Sequence, residues 1–368
     1  MKTVHIFHHN DLDGRVSGAL MYEYFKRYVN DINDYDVNEI DYSTVLSTKY
    51  KVSDGDTIVF VDYSFSKLEN VEFLINLMMK NSYKIIWIDH HKTSSDVLLK
   101  MHELKEINMN NPNIYFRVDT TRCATWLVYD YLKSVINSSG IFEVPNIVKY
   151  INSYDNWVFD MPNTKEFAYG IDALDYDAKS FFRIMFKDDS DIFKYSKETA
   201  ALESKFINTM IRNGKGISRY ISVRNKKELD YAGFEVLICD TISDTVYLGC
   251  AMNIHGNSLV FGDKINEYDF VCPFIRTSKG QWKYSLFTSK NDVDCSELAK
   301  LLGTIDDLGG GGHKKAAGFQ TKSCIFDRGN TIIISKMPIL GIRITINNST
   351  DVRNTIHYSE SEEGVPIV

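Results

Sequence analysis

Five short motifs along this chain carry residue types that could bind cations and phosphate. In chain order they are His9-Asn10-Asp11-Leu12-Asp13-Gly14, Asp62, Asp89-His90-His91, Asp155 and a glycine-rich run from Gly309 to Gly318. Aspartate and histidine offer mixed oxygen and nitrogen ligands, which suit Mn²⁺ and related divalent cations better than thiophilic metals. Glycines let backbone N–H groups approach an anion closely. Together the motifs predict metal-dependent cleavage of a phosphoester, in which two cations clamp the displacement at phosphorus.

Each motif also has an ordinary structural interpretation when it is taken alone. The segment Asp11–Gly14 could be a surface turn, and Asp62 could cap a following helix. His90 and His91 could likewise cap a helix, and the glycine run could be a flexible linker. The small apolar residues Ala316–Phe319 that follow the glycines argue against a linker. The chemical interpretation is favoured by the set, because several carboxylates gathered in a fold need compensating partners.

Short apolar runs precede three of these motifs and predict buried strands. The runs are Val4–Phe7, Thr57–Val61 and Ile85–Ile88, and amphipathic segments with helical spacing alternate with them. This alternation is typical of βαβ units and a parallel sheet. Ligands of open α/β sheets bind at the carboxyl ends of the strands. The sequence therefore predicts that the polar motifs meet at one edge of a parallel sheet.

The length of 368 residues predicts two domains and connecting segments. We expect a metal-binding catalytic domain over residues 1–189 and a linker helix over residues 190–216, which ends at Asn213-Gly214. A smaller α/β substrate-binding domain over residues 217–328 and a β-rich extension over residues 329–368 follow. One helix of the second domain, capped by Asp294 or Ser296 and closed by Gly303, leads into the glycine run. The active site is expected in the cleft between the two domains.

Composition and charge exclude several classes of protein. The net charge of -7 argues against a broad basic surface for long duplex nucleic acid. No apolar stretch approaches the roughly 20 residues that span a bilayer, so no membrane association is expected. The six cysteines are scattered without a C-x-x-C spacing, which favours reduced thiols and a cytoplasmic location. The oligomeric state is left open, and a homodimer is one of the options.

In this order the five motifs resemble those of the DHH/DHHA1 phosphoesterase family, and the resemblance covers the chain from His9 to Phe319. The spacing of the first motif is most similar to the branch of nanoRNases of the oligoribonuclease B type and cyclic-nucleotide phosphodiesterases. The resemblance implies an N-terminal DHH domain joined by the linker helix to a DHHA1 domain. It also implies two divalent cations, Mn²⁺ in the first place, with Mg²⁺ or Co²⁺ as alternatives.

The resemblance further implies roles for individual residues. The first cation would be held by His9, Asp11 and Asp62. The second would be held by Asp13, Asp62, His90 and Asp155, with Asp62 as the bridge. Asp62 would act in catalysis together with His91, which faces the scissile phosphate, and Asp89, which orients the histidines. Because His8 precedes His9, the sequence leaves open which of these two rings is the ligand.

Substrate contacts are expected mainly from the second domain. The resemblance implies that the nucleotide or phosphate end is bound by Gly310, Gly311, Gly312 and His313. The residue types of the motif predict that the ammonium groups of Lys314 and Lys315 are aimed at an anion as well. Arg219 and Arg224, just past the linker, are candidate phosphate contacts. Two features depart from the family pattern. Phe287 stands where many members carry an arginine, and the segment 304–307 looks like an insertion before the glycines.

The function predicted from the sequence is that of a Mn²⁺-dependent phosphodiesterase, an exoribonuclease that trims short oligonucleotides to mononucleotides. A cyclic mono- or dinucleotide, or a phosphoadenosine phosphate, is the alternative substrate for the same chemistry. A non-catalytic nucleotide-binding protein is the alternative from another class. A processive exonuclease of the RecJ type is disfavoured because the chain has no room for an added nucleic-acid-binding domain. The glycine run disfavours the pyrophosphatase branch.

Overall fold

A computed structural model describes residues 2–42, 44–65, 67–80, 82–103, 111–136, 143–186, 191–337 and 341–347. The chain divides into two compact units, Met1–Arg219 and Tyr220–Val368. The end of the expected C-terminal extension, residues 348–368, lies outside the described residues.

The first unit alternates strands and helices, as the βαβ pattern predicts. Its elements are β1 (Thr3–His9), α1 (Leu12–Tyr28), β2 (Asp34–Ile40), α2 (Leu46–Lys49), β3 (Thr57–Val61), α3 (Leu68–Met79), β4 (Lys84–Asp89), α4 (Lys92–Glu103), β5 (Ile114–Val118), α5 (Ala124–Val135), α6 (Asn146–Asp155), α7 (Thr164–Asp172), α8 (Phe181–Phe186) and α9 (Lys197–Ala232), the last of which continues into the second unit. The apolar runs that precede the first three motifs thus form β1, β3 and β4.

The strands of this unit form a parallel sheet whose order brings two of the motifs side by side. Within the described ranges the order is β2-β1-β3-β4-β5, and every neighbouring pair is parallel. The direction of winding reverses between β1 and β3, which are adjacent in the sheet. At such a reversal the connecting segments leave on opposite faces and open a crevice beyond the carboxyl ends of the strands. His9 ends β1, and Asp62 directly follows β3, so both lie at this crevice.

Both faces of the sheet are buried, which explains why its central strands are continuously apolar. Val59, Ile86 and Ile88 face a core that includes residues of α1, α5 and α6. Phe60 and Trp87, which alternate with them, face a second core under α3 and α4. Alternation along each strand therefore places successive side chains in two different cores. The rigid sheet holds the strand ends, and with them the polar motifs, in place.

Helix α9 extends further than the sequence predicts. It runs without interruption over 36 residues and passes through Asn213-Gly214, so the predicted end at this pair is wrong. Gly214 is needed for close packing, because a Cβ atom there would lie 1.7 Å from the carbonyl oxygen of Glu166 in α7. Likewise, a Cβ atom on Gly170 of α7 would lie 2.0 Å from the carbonyl oxygen of Met210 in α9. The glycines allow two helices to touch backbone to backbone.

The second unit contains a mixed sheet. Its strands are β6 (Phe234–Asp240), β7 (Thr245–Asn253), β8 (Phe270–Arg276), β9 (Trp282–Phe287), β10 (Gly310–Gly312), β11 (Ala316–Thr321), β12 (Thr331–Met337) and β13 (Gly341–Asn347), and its helix is α10 (Cys295–Leu302). The described strands are ordered β10-β11-β9-β8-β7-β6-β12-β13. Asp294 is the N-cap of α10, and Gly303 follows its last residue, as predicted. A parallel α/β unit with a second, sheet-containing unit confirms the expected fold class.

The glycine run forms an edge strand and a hairpin rather than an open loop. Gly310–Gly312 pair with β11, to which the small residues Ala316–Gly318 belong. A Cβ atom on Gly310 would lie 2.0 Å from the carbonyl oxygen of Ala299 in α10. At this position the close approach that the sequence suggests is therefore to a neighbouring helix.

The helices and the cysteines bear on the expected absence of membrane spans and disulfides. Among the described residues, no helix is long and apolar enough to cross a membrane. The six cysteines, all of them within the described residues, form no disulfide.

We predict opposite effects for two alanine substitutions in α9. Gly214→Ala should lower the free energy of unfolding by about 1–3 kcal/mol, since the added methyl group collides with the backbone of α7. Gly216→Ala, two positions later, meets nothing within 4 Å and should raise it by up to about 1 kcal/mol through helix propensity. Urea denaturation of both variants measures the difference. Equal effects would contradict the packing explanation.

Candidate metal centre

The first motif lies at the junction of β1 and α1. Asp11 is the N-cap of α1, and its Oδ1 accepts a hydrogen bond of 2.9 Å from the Gly14 N–H. Its Oδ2 lies 2.7 Å from Nδ1 of His9. The strand end and the helix start therefore place an imidazole and a carboxylate together at the crevice.

The structure distinguishes between the two consecutive histidines of β1. Neighbouring residues of a strand point to opposite faces, so only one of the rings can face the crevice. His8 is buried against α1, where a Cβ atom on Gly18 would lie 2.6 Å from its ring. Burial lowers the pKa of His8 and favours the neutral ring. His9 lies instead beside Asp11, with its Nδ1 3.8 Å from Oδ2 of Asp62, and is the ring at the site.

Asp62 is the most constrained residue of the site. It is 1% exposed and has a backbone φ of 53°, in the left-handed region that costs energy for most residues but is tolerated by aspartate. Neither of its carboxylate oxygens accepts a hydrogen bond from any described residue. It does not cap a helix, because α3 begins after Lys67. A buried carboxylate without hydrogen bonds is costly unless a cation compensates its charge.

The Asp89-His90-His91 motif ends β4 and supplies two rings with different surroundings. Nε2 of His90 lies 3.2 Å from Oδ1 of Asp62 and 3.4 Å from Oδ2 of Asp155. His91 Nδ1 lies 2.8 Å from Oδ1 of Asp89, whose other oxygen accepts a hydrogen bond from the Ser94 hydroxyl. His90 thus faces the carboxylates of the site, whereas His91 is held by Asp89.

Asp13 and Asp155 complete the cluster from two helices. Asp13 is 1% exposed, and its two oxygens accept hydrogen bonds of 2.7 and 2.8 Å from the N–H groups of Ala124 and Thr125. These N–H groups begin α5, so a helix N-terminus stabilises the carboxylate. Asp155 is the last residue of α6 and follows no strand. One oxygen of Asp155 accepts no hydrogen bond in the described part of the chain.

These residues form two donor sets that meet at Asp62. Within each set the possible ligand atoms lie within 4.8 Å of one another. The first set is His9, Asp11 and Asp62, and the second contains Asp13, His90 and Asp155, with Asp62 3.2 Å from His90. Asp62 directs Oδ2 towards His9 and Oδ1 towards His90. The unsatisfied carboxylate and the nitrogen and oxygen donors around it fit a pair of divalent cations.

The electrostatics of the metal-free site reflect this crowding of acids. Burial, followed by the charges of Asp11 and Asp13, raises the pKa of Asp62 well above its ordinary value. Burial, with Asp13 and Asp11, has the same effect on the pKa of Asp155. Burial alone would also raise the pKa of Asp89, but the charges of His91 and His90 and the hydrogen bonds from His91 and Ser94 together outweigh it and lower that pKa to about 2. The site therefore favours protons or cations on Asp62 and Asp155, and an ionised Asp89.

Sequence reasoning missed one residue that contacts this centre. The hydroxyl of Tyr42 lies 3.1 Å from Nε2 of His91, and its ring lies 4.9 Å from the ring of His9. Tyr42 follows β2, an edge strand that the sequence analysis did not predict. Nothing in the sequence distinguishes it from the other 21 tyrosines, since the contact depends on the pairing of β2 with β1.

The candidate substrate residues lie on α9 and in the second unit. Arg219 and Arg224 are exposed on α9. His313 and Lys314 form the turn between β10 and β11, and Lys314 is exposed. The ammonium group of Lys315 donates hydrogen bonds to the carbonyl oxygens of Ser289 and Lys290 and to Asn291. Lys315 therefore anchors a loop, and the expectation that its charge is aimed at an anion is wrong.

The sequence profile of the DHH family, N-terminal domain, matches residues 3–151. This stretch contains β1 to β5 and all of the candidate metal ligands except Asp155. The match supports the resemblance of the first unit to the DHH family. No curated protein sequence matches the chain.

Several solved structures align with most of this chain but share little sequence with it. An uncharacterized protein from Helicobacter pylori G27 is 18% identical, with a TM-score of 0.33 and coverage of 88% of this chain and 94% of that chain. The pGpG-specific phosphodiesterase PggH from Vibrio cholerae is 13% identical, with a TM-score of 0.39 and coverage of 87% of this chain and 92% of that chain. RecJ in complex with Mn²⁺ from Thermus thermophilus is 14% identical, with a TM-score of 0.45 and coverage of 86% and 49%.

We predict that Asp62→Asn stabilises the metal-free protein while abolishing its stabilisation by Mn²⁺. Because the folded protein holds the Asp62 proton more tightly than the unfolded chain, this group costs stability as the pH rises above about 4. At pH 7 the amide should therefore raise the free energy of unfolding in EDTA by at least about 1 kcal/mol. Mn²⁺ at a hundred times its Kd should add about 2.7 kcal/mol to the wild type and little to the variant.

A matched control is Asp56→Asn, because Asp56 is equally buried but accepts hydrogen bonds from the N–H groups of Thr3 and Ser53. Its replacement should cost about 1–3 kcal/mol in EDTA and leave the gain from Mn²⁺ in place. Denaturation curves of the wild type and both variants, with EDTA and with Mn²⁺, measure these free energies of unfolding. A metal-free Asp62→Asn protein less stable than the wild type would contradict the account.

Proposed function

We propose that this protein is a Mn²⁺-dependent phosphodiesterase that hydrolyses short oligonucleotides to mononucleotides. The observation that carries the proposal is the buried carboxylate of Asp62, whose two oxygens face two different donor sets and accept no hydrogen bond from described residues. A carboxylate in this arrangement suits the bridging position between two cations.

The first cation would be held by His9, Asp11 and Asp62, and the second by Asp13, Asp62, His90 and Asp155. When bound, the cations lower the pKa of water and neutralise the oxygens of the phosphoryl group. The protein presents these donors on rigid strand ends and helix ends, so little reorganisation accompanies binding.

His91 and Asp89 would orient the phosphoryl group. The carboxylate of Asp89 is held by Ser94 and accepts from Nδ1 of His91, so the ring of His91 has a defined orientation beside the cluster. Nδ1 of His91 lies 3.9 Å from Oδ1 of Asp62. The ring would therefore be within reach of a phosphoryl group bound to the cations that Asp62 would hold. His91 would thus contact the phosphate, and Asp89 would set its orientation.

The second unit would bind the nucleotide end of the substrate through Gly310–Gly312, His313 and Lys314, with Arg219 and Arg224 as further phosphate contacts. His313 and Ala316 exchange backbone hydrogen bonds of 2.7 and 3.2 Å, so the N–H groups of Gly310 and Gly312 point away from β11. Donors at a strand edge beside an exposed lysine suit an anionic group. The net charge of -7 favours short substrates over long duplexes.

The test is a product time course on a 5′-labelled RNA dinucleotide with Mn²⁺. Wild-type protein should release mononucleotide, and Asp62→Ala should lower the rate by about a thousandfold or more, since it removes the bridging ligand. Asp34→Ala, at the exposed amino end of β2, is the control and should retain full activity.

An intact dinucleotide after incubation with wild-type protein would overturn the proposed substrate. The same pair of proteins should then be assayed on a cyclic dinucleotide, a cyclic mononucleotide and a phosphoadenosine phosphate, which the same cation pair could hydrolyse. Nucleotide binding without turnover of any of these would indicate a non-catalytic binding protein.

A further inference from the structure

Tyr42 lies in a fixed turn at the edge of the metal centre. The turn follows β2, and the Thr44 N–H donates a hydrogen bond of 3.0 Å to the carbonyl oxygen of Asp41. The hydroxyl of Thr44 also lies 3.3 Å from Oδ1 of Asp41. Thr44 and Asp41 are thus hydrogen-bonded to each other through backbone and side-chain atoms.

A buried asparagine ties this turn to the strand that carries Asp62. Asn70, on α3, is completely buried and accepts a hydrogen bond of 2.9 Å from the Leu46 N–H. Its amide donates to the carbonyl oxygen of Thr44 and to the hydroxyl of Tyr63, both at 2.8 Å. Tyr63 follows Asp62 directly, and its ring stacks on Tyr42 with centroids 5.6 Å apart and an interplanar angle of 17°. Asn70 therefore links Thr44 to Tyr63, the residue on whose ring Tyr42 stacks.

From this fixed position Tyr42 contacts two rings of the metal centre. Its aromatic ring packs on His9 with a centroid distance of 4.9 Å, and its hydroxyl lies 3.1 Å from Nε2 of His91. The other nitrogen of His91 lies 2.8 Å from Asp89. His91 is thus held at both nitrogens, by a carboxylate on one side and by a phenol on the other.

The chemistry of the partners determines the direction of both hydrogen bonds. The carboxylate of Asp89 accepts, so Nδ1 of His91 carries the hydrogen and donates it. In a neutral imidazole the other nitrogen is then an acceptor, and the Tyr42 O–H donates to Nε2. The structure therefore assigns a single tautomer and a single ring orientation to His91.

We propose that Tyr42 is a positioning residue for His91. With Asp89 it holds the imidazole in the Nδ1–H tautomer and sets the plane of the ring relative to a phosphoester bound at the cations. The inference deepens the proposed function, because the phosphoester is the substrate assigned to this site. Tyr42 does not itself coordinate a cation in this account, so its hydroxyl should affect the rate and leave metal affinity unchanged.

The kinetic test is Tyr42→Phe, which keeps the ring packed on His9 and Tyr63 and removes only the hydroxyl. We expect kcat on the dinucleotide to fall about tenfold, the effect of one lost hydrogen bond, with KM and the Mn²⁺ affinity unchanged. Tyr50→Phe is the matched control, since Tyr50 lies near Tyr42 in the chain and packs on Phe7, away from the site. It should retain wild-type kcat.

A double-mutant cycle shows whether Tyr42 acts through His91. In a His91→Asn background the further change Tyr42→Phe should alter kcat by less than about twofold, because the partner of the hydroxyl is gone. Multiplicative losses in the double variant would overturn the proposal. So would a loss of Mn²⁺ affinity in Tyr42→Phe, because it would assign Tyr42 to the support of the metal ligands instead.

A spectroscopic measurement separates this proposal from the proposed function. In protein with ¹⁵N-labelled histidine and Mg²⁺, the ring resonances that disappear in His91→Asn belong to His91. They should report the Nδ1–H tautomer in the wild type, and the Nε2 resonance should shift in Tyr42→Phe but not in Tyr50→Phe. An unchanged Nε2 resonance would overturn the role of Tyr42. This outcome is independent of whether any phosphoester is hydrolysed.

Discussion

The charge of Asp62 is the constraint on which the rest of the structure depends. A carboxylate that is 1% exposed, and that accepts no hydrogen bond from described residues, destabilises a fold unless cations compensate it. Its neighbours increase the cost, since Asp11 and Asp13 lie close enough to raise its pKa. The metal-free fold therefore carries an electrostatic penalty at the point where two donor sets meet. The acids that suit a pair of cations thus lower the stability of the fold when no cation is bound.

The fold distributes the acidic residues so that only some of them need a cation. Asp13 accepts hydrogen bonds from the first N–H groups of α5, and Asp11 caps α1, so helix N-termini stabilise both. Asp89 is paired with His91 and Ser94. Asp62, which directly follows β3 at the reversal of sheet order, accepts no hydrogen bond from the described residues, although Nε2 of His90 lies 3.2 Å from its Oδ1. The same parallel sheet thus brings the acids together and decides which of them remains available to metal.

The sequence predicts the central strands of the parallel sheet better than its edge strand β2 or the length of helix α9. β1, β3 and β4 are mostly buried and contain apolar runs, which His5 interrupts in β1, so the sequence predicts their ends and the motifs at them. β2 was missed because Asp34, Asp36 and Glu39 make this edge strand look like a loop. With β2 the contact between Tyr42 and His91 was missed as well, because it exists only through strand pairing. The length of α9 is not predicted either, because Gly214 looks like a helix end in the sequence. In the structure this glycine allows close packing against α7 and does not end the helix.

Anomalous diffraction from crystals grown with Mn²⁺ tests most directly whether Asp62 bridges two cations, as proposed. The account predicts two anomalous peaks roughly 3.5–4 Å apart, one beside each carboxylate oxygen of Asp62. The first peak should contact His9 and Asp11, and the second should contact Asp13, His90 and Asp155. A single peak, or a pair of peaks that Asp62 does not bridge, would contradict the account.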